Sequence, residues 1–128
     1  MDLTILPACD RDIPEILALE RACFSFPHTG EQLRHELNDA VYDLLVAKEE
    51  ETVIGYAGLS HILEEGYITN VAVSGAFRRR GVGDRLMASL DHVAETHKLA
   101  FISLEVRESN LPAIGLYEKN GYHAHPSC

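Results

Sequence analysis

The residues best suited to chemistry cluster between positions 70 and 84. Asn70-Val71-Ala72-Val73 reads as a strand that passes through Ser74-Gly75-Ala76-Phe77 into Arg78-Arg79-Arg80-Gly81-Val82-Gly83-Asp84, a basic, glycine-bearing turn opening directly into a helix. A helix start gathers unpaired N–H groups and the positive end of the helix dipole, so such a turn suits a phosphate. It is not a Walker A loop, because no Gly-Lys-Ser/Thr follows, nor the dinucleotide fingerprint, because Leu86 stands where the third glycine belongs. Nucleotide hydrolysis and hydride transfer are therefore disfavoured, and taken alone the stretch could also be a glycine turn with solvated arginines. Glu105 is the second feature, a carboxylate inside the apolar run Phe101-Ile102-Ser103-Leu104-Glu105-Val106. Buried there, its pKa would rise toward that of a useful base; exposed at a strand end, it would pair with Arg107. Tyr117 lies seven residues after Asn110, two helical turns, and shares a face with it, Ala113 and Ile114. By pattern alone Tyr117 is a core tyrosine and Asn110 an N-cap.

Elements that must hold these groups follow from the period of the apolar residues. Residues 3–6 read as a short strand. Asp10 and Asp12 supply N-cap character for a helix striped with Ile13, Ile16 and Leu17, with Pro14 tolerated in its first turn. Thr29 and Gln32 have capping-box spacing for a second helix that carries Leu33 and Leu37 on one face and ends near Asn38. Residues 42–47 and 53–60 read as strands joined by Lys48-Glu49-Glu50-Glu51, a charged run expected to be a solvated turn, and 67–73 as a third strand. From Gly81 the period changes, with Val82, Leu86, Leu90, Val93 and Ala94 at helical spacing as far as about His97. Residues 99–106 return to strand character. A last helix with the stripe Ala113, Ile114, Leu116 and Tyr117 stops at Lys119-Asn120-Gly121, and 122–128 close the order β-α-α-β-β-β-α-β-α-β. Hairpins first and a strand–helix–strand crossover second predict an α/β (α+β) fold, a mixed sheet with helices on its faces.

Composition narrows the partners. A chain of 128 residues without repeats or linkers is expected to form one domain, 1–128, and 46% hydrophobic with 24% charged residues excludes disordered, collagen-like and disulfide-scaffold classes. Eleven Lys+Arg against twenty Asp+Glu give a net charge of −9, the wrong sign for wrapping nucleic acid or sitting on an anionic membrane, and easier to match with an amine-bearing partner. Cys9, Cys23 and Cys128 are odd in number and widely spaced, which suits structural thiols in a reducing cytoplasm. There is no membrane-length apolar run, and Met1-Asp2-Leu3-Thr4 is not a signal peptide, so a cytoplasmic location is expected. His123 and His125 read as solvated, His92 and His97 are not at one-face ligand spacing, and His28, His35 and His61 have no evident partner. No metal is expected. Glu64-Glu65 read as a solvated loop with some pull on a basic substrate.

Arg78-Arg79-Arg80-Gly81-Val82-Gly83 resembles the Arg/Gln-x-x-Gly-x-Gly/Ala pyrophosphate loop of the GCN5-related N-acetyltransferases, the GNAT family, and Asn70-Val71-Ala72-Val73 resembles the strand before it. Leu104-Glu105-Val106-Arg107-Glu108-Ser109-Asn110 and the stretch from Ala113 to Tyr122 are similar to the RimI-type, ribosomal-protein-alanine N-acetyltransferases of that family. So is Phe26-Pro27, although His28 stands where that subgroup often has tryptophan. The resemblance spans almost the whole chain in order. It implies the GNAT fold, a mixed, mostly antiparallel central sheet with helices on both faces. The family's last C-terminal strand is expected to be missing, since the sequence stops at Cys128. It further implies acetyl-coenzyme A as cosubstrate, bound by Val71, Ala72, Val73, Arg78, Arg79, Arg80, Gly81, Val82, Gly83, Asp84 and Asn110, with Val71 and Val73 acting through their backbones. An amine must lose a proton before attacking a thioester and the departing thiolate gains from a proton donor. The resemblance assigns these roles to Glu105 as base and Tyr117 as acid. The implied acceptor is a protein or peptide N-terminus, and the protein is expected to be a monomer or homodimer. The alternatives are a small-molecule amine, a lysine, or a non-catalytic acyl-coenzyme A-binding module.

Overall fold

The computed structural model describes residues 3–24, 27–78, 80–104 and 111–122, with backbone alone at 111–113. Five strands form one sheet in the spatial order β1-β2-β3-β4-β5, with β1 at Leu3–Pro7, β2 at Tyr42–Glu49, β3 at Thr52–Ile62, β4 at Glu65–Val73 and β5 at Phe101–Leu104. β1 to β4 are antiparallel to their neighbours, and β5 is parallel to β4. A parallel neighbour needs a crossover, which the helix α3 (Val82–Thr96) supplies. Helices α1 (Ile13–Cys23) and α2 (Gly30–Leu37) precede β2, and α4 (Leu111–Lys119) follows β5. The mixed sheet with helices on both faces is thus the architecture expected from the period changes. A strand after α4 would fall in 123–128, outside the described residues.

Alternation along the strands builds two cores. Leu44 and Val46 of β2, Tyr56 of β3 and Ala72 of β4 face α1 and α2, packing on Ile13, Ile16, Leu19 and Leu33. Leu45, Ala47, Ala57, Leu59 and Ile68 face α3, packing on Val82, Leu86, Met87, Leu90 and Ala94. The central strands β2 and β3 are therefore buried on both sides, which is what a sheet between two helical layers requires. The second helix begins as its sequence predicts. Thr29 Oγ1 accepts from the Gln32 N–H (3.1 Å) and Gln32 Oε1 from the Thr29 N–H (2.8 Å), a complete capping box. Gly121 ends α4 with φ +92, the left-handed C′ position expected of it. Among the described residues no helix is long and apolar enough to cross a membrane.

Three sequence expectations need correction. Lys48 is not part of a solvated turn. It is the seventh residue of β2, buried, with its Nζ 2.9 Å from Asp12 Oδ1. Asp12 in turn does not cap α1 with its side chain; its carboxylate accepts from the Cys9 N–H (2.9 Å) and takes the Lys48 ammonium. Cys9 is exposed, so it is no core thiol, whereas Cys23 is half-buried.

Candidate active site

β4 and β5 pair from Glu65 and Phe101 to Ile68 and Leu104, yet β4 runs on to Val73, so among the described residues 69–73 have a strand neighbour only in β3. A bulge interrupts β4 here: Gly58 pairs with Asn70 and Leu59 with Ile68, leaving Thr69 as the extra residue that bends the strand. Gly58 makes room for it, because a Cβ there would lie 2.4 Å from Thr69 Oγ1 and 2.9 Å from Leu44 Cδ2.

Beyond the bulge the direction of the backbone groups is set. Ser74 N–H donates to the Ile54 carbonyl at 2.8 Å, toward β3. Trans peptides alternate along a strand, so the carbonyl and N–H of Val73, and those of Val71, face away from β3, the Val73 carbonyl meeting Cys23 and Arg78. Both valines keep their side chains on the α3 core. Backbone groups spaced in this way along a strand suit an extended, amide-bearing ligand. Ala72 turns its backbone toward β3 and buries its methyl beneath α1.

The chain leaves β4 through a single turn at Gly75–Phe77 and enters α3 at Gly81. Gly81 is the N-cap with φ +80, a conformation that L side chains rarely adopt, and a Cβ there would meet nothing within 4 Å. Space is free at this point because the turn faces outward at the mouth of the helix. The first intrahelical bond runs from Arg85 N–H to Gly81 C=O (3.0 Å), so the N–H groups of Val82, Gly83 and Asp84 have no partner within the helix. Val82 is buried in the α3 core. Gly83 lets α4 approach, since a Cβ would sit 3.2 Å from Leu116. The Asp84 carboxylate is held by Lys119 Nζ (2.8 Å) and Asn120 Nδ2 (3.0 Å), which keep it well below the usual aspartate range and tie the start of α3 to the end of α4. Arg80 lies over the Phe77 ring, 5.6 Å from its centroid. Arg78 folds back, its Nε 3.4 Å from the Val73 carbonyl and its Nη2 3.7 Å from Cys23 Sγ. Arg79 lies outside the described residues.

If the turn is the phosphate cradle, Gly81→Val should weaken acetyl-coenzyme A binding at least tenfold by titration calorimetry, because a β-branched residue strains at φ +80 and fills the mouth. Unchanged affinity would place the phosphates elsewhere.

Tyr117 projects from α4 onto the α3 core beside Tyr122, edge to face with centroids 6.4 Å apart. Burial pushes its hydroxyl pKa up, so it holds its proton at neutral pH. Tyr122 donates to Asp91 Oδ1 at 3.0 Å, fixing the end of α4 on α3. Glu105 and Asn110, the other two groups expected here, lie outside the described residues.

Sequence reading missed a buried polar cluster one layer away. Glu20, fully buried on α1, accepts from the Tyr56 hydroxyl and from the His28 backbone N–H, and lies 2.8 Å from His28 Nδ1. His28 Nε2 is 2.9 Å from Glu36 on α2, so this imidazole, without a partner in sequence, bridges two carboxylates and pins the segment between α1 and α2. The signal was present: Glu20 follows Ile13 and Ile16 at helical spacing, on the buried face. The cluster touches the candidate site through the end of α1, where the Cys23 thiol donates to the Val73 carbonyl at 3.7 Å. Burial and the Glu20 carboxylate push the Tyr56 pKa far up.

Burial alone would lower the His28 pKa, but Glu20 and Glu36 outweigh it and raise it above its usual 6.5. Histidine NMR titration should therefore find one imidazole with a raised midpoint, and Glu36→Gln should bring it down. The stability His28 contributes is complete below the unfolded-state pKa and fades as pH rises through the folded one.

A mixed sheet whose fourth strand runs through a glycine turn into a helix start defines a class of fold suited to an extended, phosphate-bearing ligand along one strand. The chain matches the acetyltransferase (GNAT) family over residues 13–122, and it belongs to that family. It is 34% identical over 125 residues to an N-alpha-acetyltransferase of Sulfolobus acidocaldarius, covering 84% of this chain and 72% of that protein. It is 30% identical over 112 residues to the ribosomal protein bS18-alanine N-acetyltransferase of Salmonella typhimurium, covering 88% of this chain and 75% of that one. The crystal structure of the ribosomal-protein-S18-alanine N-acetyltransferase from Escherichia coli superposes with a TM-score of 0.88 at 26% identity, over 98% of this chain and 80% of that chain.

Proposed function

We propose that this acetyltransferase moves acetyl from acetyl-coenzyme A to the α-amine of a protein N-terminus, in the manner of the N-terminal acetyltransferases it is similar to. The observation that carries the reading is the course of β4, whose Val71 and Val73 backbone groups face away from β3 and which leads directly to Gly81 at the start of α3. The pantetheine amides would pair with those groups and the pyrophosphate would take the N–H groups at the α3 start, among Arg78, Arg79 and Arg80. Asn110, at the start of α4, would add a cofactor contact.

Glu105 receives a proton from the acceptor ammonium, directly or through water, and the freed amine nitrogen attacks the thioester carbonyl. The carbon–sulfur bond breaks, the coenzyme A thiolate takes its proton from the Tyr117 hydroxyl, which burial keeps protonated, and the surplus proton on the new amide nitrogen leaves through water, from which Tyr117 is reprotonated. A terminal α-amine has a pKa of about 7.7–8.0 against about 10.4 for lysine, so a carboxylate base has less work to do on it. The odd number and wide spacing of the cysteines favour a cytoplasmic enzyme.

The test is acetyl transfer read by mass spectrometry on two peptides, one with a free alanine terminus and one with a blocked terminus and a free internal lysine. Labelling of the free terminus alone is expected. Labelling of lysine alone would keep the chemistry and change the acceptor, and no labelling with acetyl-coenzyme A bound would point to a small amine or a binding module.

A further inference from the structure

At the far end of α3 from the phosphate turn, three side chains from distant parts of the sequence meet. Asp43 opens β2, His61 lies near the end of β3, and His97 is the C-cap of α3. Asp43 pairs with Leu59, two residues before His61, so both project on the α3 side of the sheet, where α3 ends in His97. One ligand atom from each lies within 4.8 Å of the others. Asp43 Oδ2 is 2.9 Å from His97 Nε2 and 3.6 Å from His61 Nε2, and the two imidazoles stack with centroids 4.2 Å apart.

Hydrogen bonding does not satisfy this group. Asp43 and His97 are in bonding range, but His61 Nε2 is buried without a hydrogen-bond partner, since 3.6 Å to Asp43 is too long. A buried ring nitrogen without a partner is costly, and a cation facing all three groups would remove the cost. A zinc ion with bonds of about 2.0–2.2 Å sets its tetrahedral ligand atoms about 3.3 Å apart, between the two distances seen here.

We infer that Asp43, His61 and His97 form a binding site for a divalent transition-metal ion of the zinc type. The donor set, two imidazoles and one carboxylate, suits such an ion better than calcium or magnesium, which prefer all-oxygen shells. The rings meet at 29°, so convergence on one ion takes a rotation of the His97 imidazole, whose side chain is one-third exposed. Water completes the fourth position. Fifteen residues of α3 put about 22 Å between this site and Gly81, so the ion braces the end of α3 against the β2–β3 hairpin and takes no part in acetyl transfer. This departs from the sequence expectation of no metal, because pairing His97 with His92 looked along one helix, while its partners come from the sheet.

The experiment is titration of the chelator-treated full chain with Co²⁺, followed by displacement with Zn²⁺ and thermal unfolding with and without Zn²⁺. The expected result is one equivalent bound, visible d–d bands without a thiolate charge-transfer band, and a raised Tm. The His61→Gln and His97→Gln double variant, and Asp43→Asn separately, should weaken binding by more than about 100-fold and abolish the Tm gain. No binding at millimolar metal, a thiolate band that assigns the ion to cysteine, or binding retained by the double variant would each overturn the inference.

Discussion

Replacing Tyr117 with Phe should lower kcat for acetyl transfer on the order of 10²-fold or more while leaving acetyl-coenzyme A affinity close to that of the parent, because the ring keeps its packing and only the proton donor is lost. Glu105→Gln should cost about 10²–10⁴ in kcat, the range for one positioned acid–base group. The two readouts differ in pH. Loss of the base should be partly rescued as pH rises and more of the acceptor amine is free, whereas loss of the acid should not. Steady-state kinetics across pH on both variants and the parent provide the measurement, and unchanged turnover in both would remove these residues from the reaction. Tyr117 is half-buried beside Tyr122 with its pKa raised by burial, the state a proton donor needs at neutral pH.

Asp12→Ala should destabilise the fold by about 3–5 kcal/mol, because it strands the Lys48 ammonium, buried with 8% of its side-chain surface exposed, without a counter-charge. The loss also removes the acceptor of the Cys9 N–H. Asp12→Leu combined with Lys48→Met should recover most of the deficit, since two apolar groups of similar volume avoid the desolvation cost of both ions. Urea unfolding of the single and double variants measures this directly. A pH series gives the sign: burial alone would raise the Asp12 pKa, but the Cys9 N–H and Lys48 hold it below the usual 3.8. Its stabilisation is therefore present above the unfolded-state pKa and lost as pH falls through the depressed folded value. A single variant as stable as the parent would show that the pair carries no stability.

How far the sequence reaches can be judged element by element. The Thr29–Gln32 capping box, the stop at Gly121 and the change of period at Gly81 are local, because a cap or a left-handed glycine is decided within four residues. The two-sided burial of β2 and β3 was legible as apolar runs, and the glycine turn before α3 as a motif of adjacent residues. The charged groups were harder. Lys48 sits in a run of glutamates that looks solvated, and only the register of β2 places it over Asp12. Glu20 lies on the buried face of α1, but its partners Tyr56 and His28 come from two other segments.

The sequence by itself determined the order of elements from β1 to α4, the family, the glycine turn before α3 and the tyrosine on α4, because each rests on residue types at short, regular spacing. Tertiary structure alone decided that β5 lies parallel beside β4, which peptide groups of Val71 and Val73 face away from β3, and which carboxylates meet Lys48, His28, His61 and His97. Those contacts join residues up to 54 apart in the chain, as Asp43 and His97 are. Strand register and the packing angle of α3 bring them together, and no pattern within a single helix or strand carries that information.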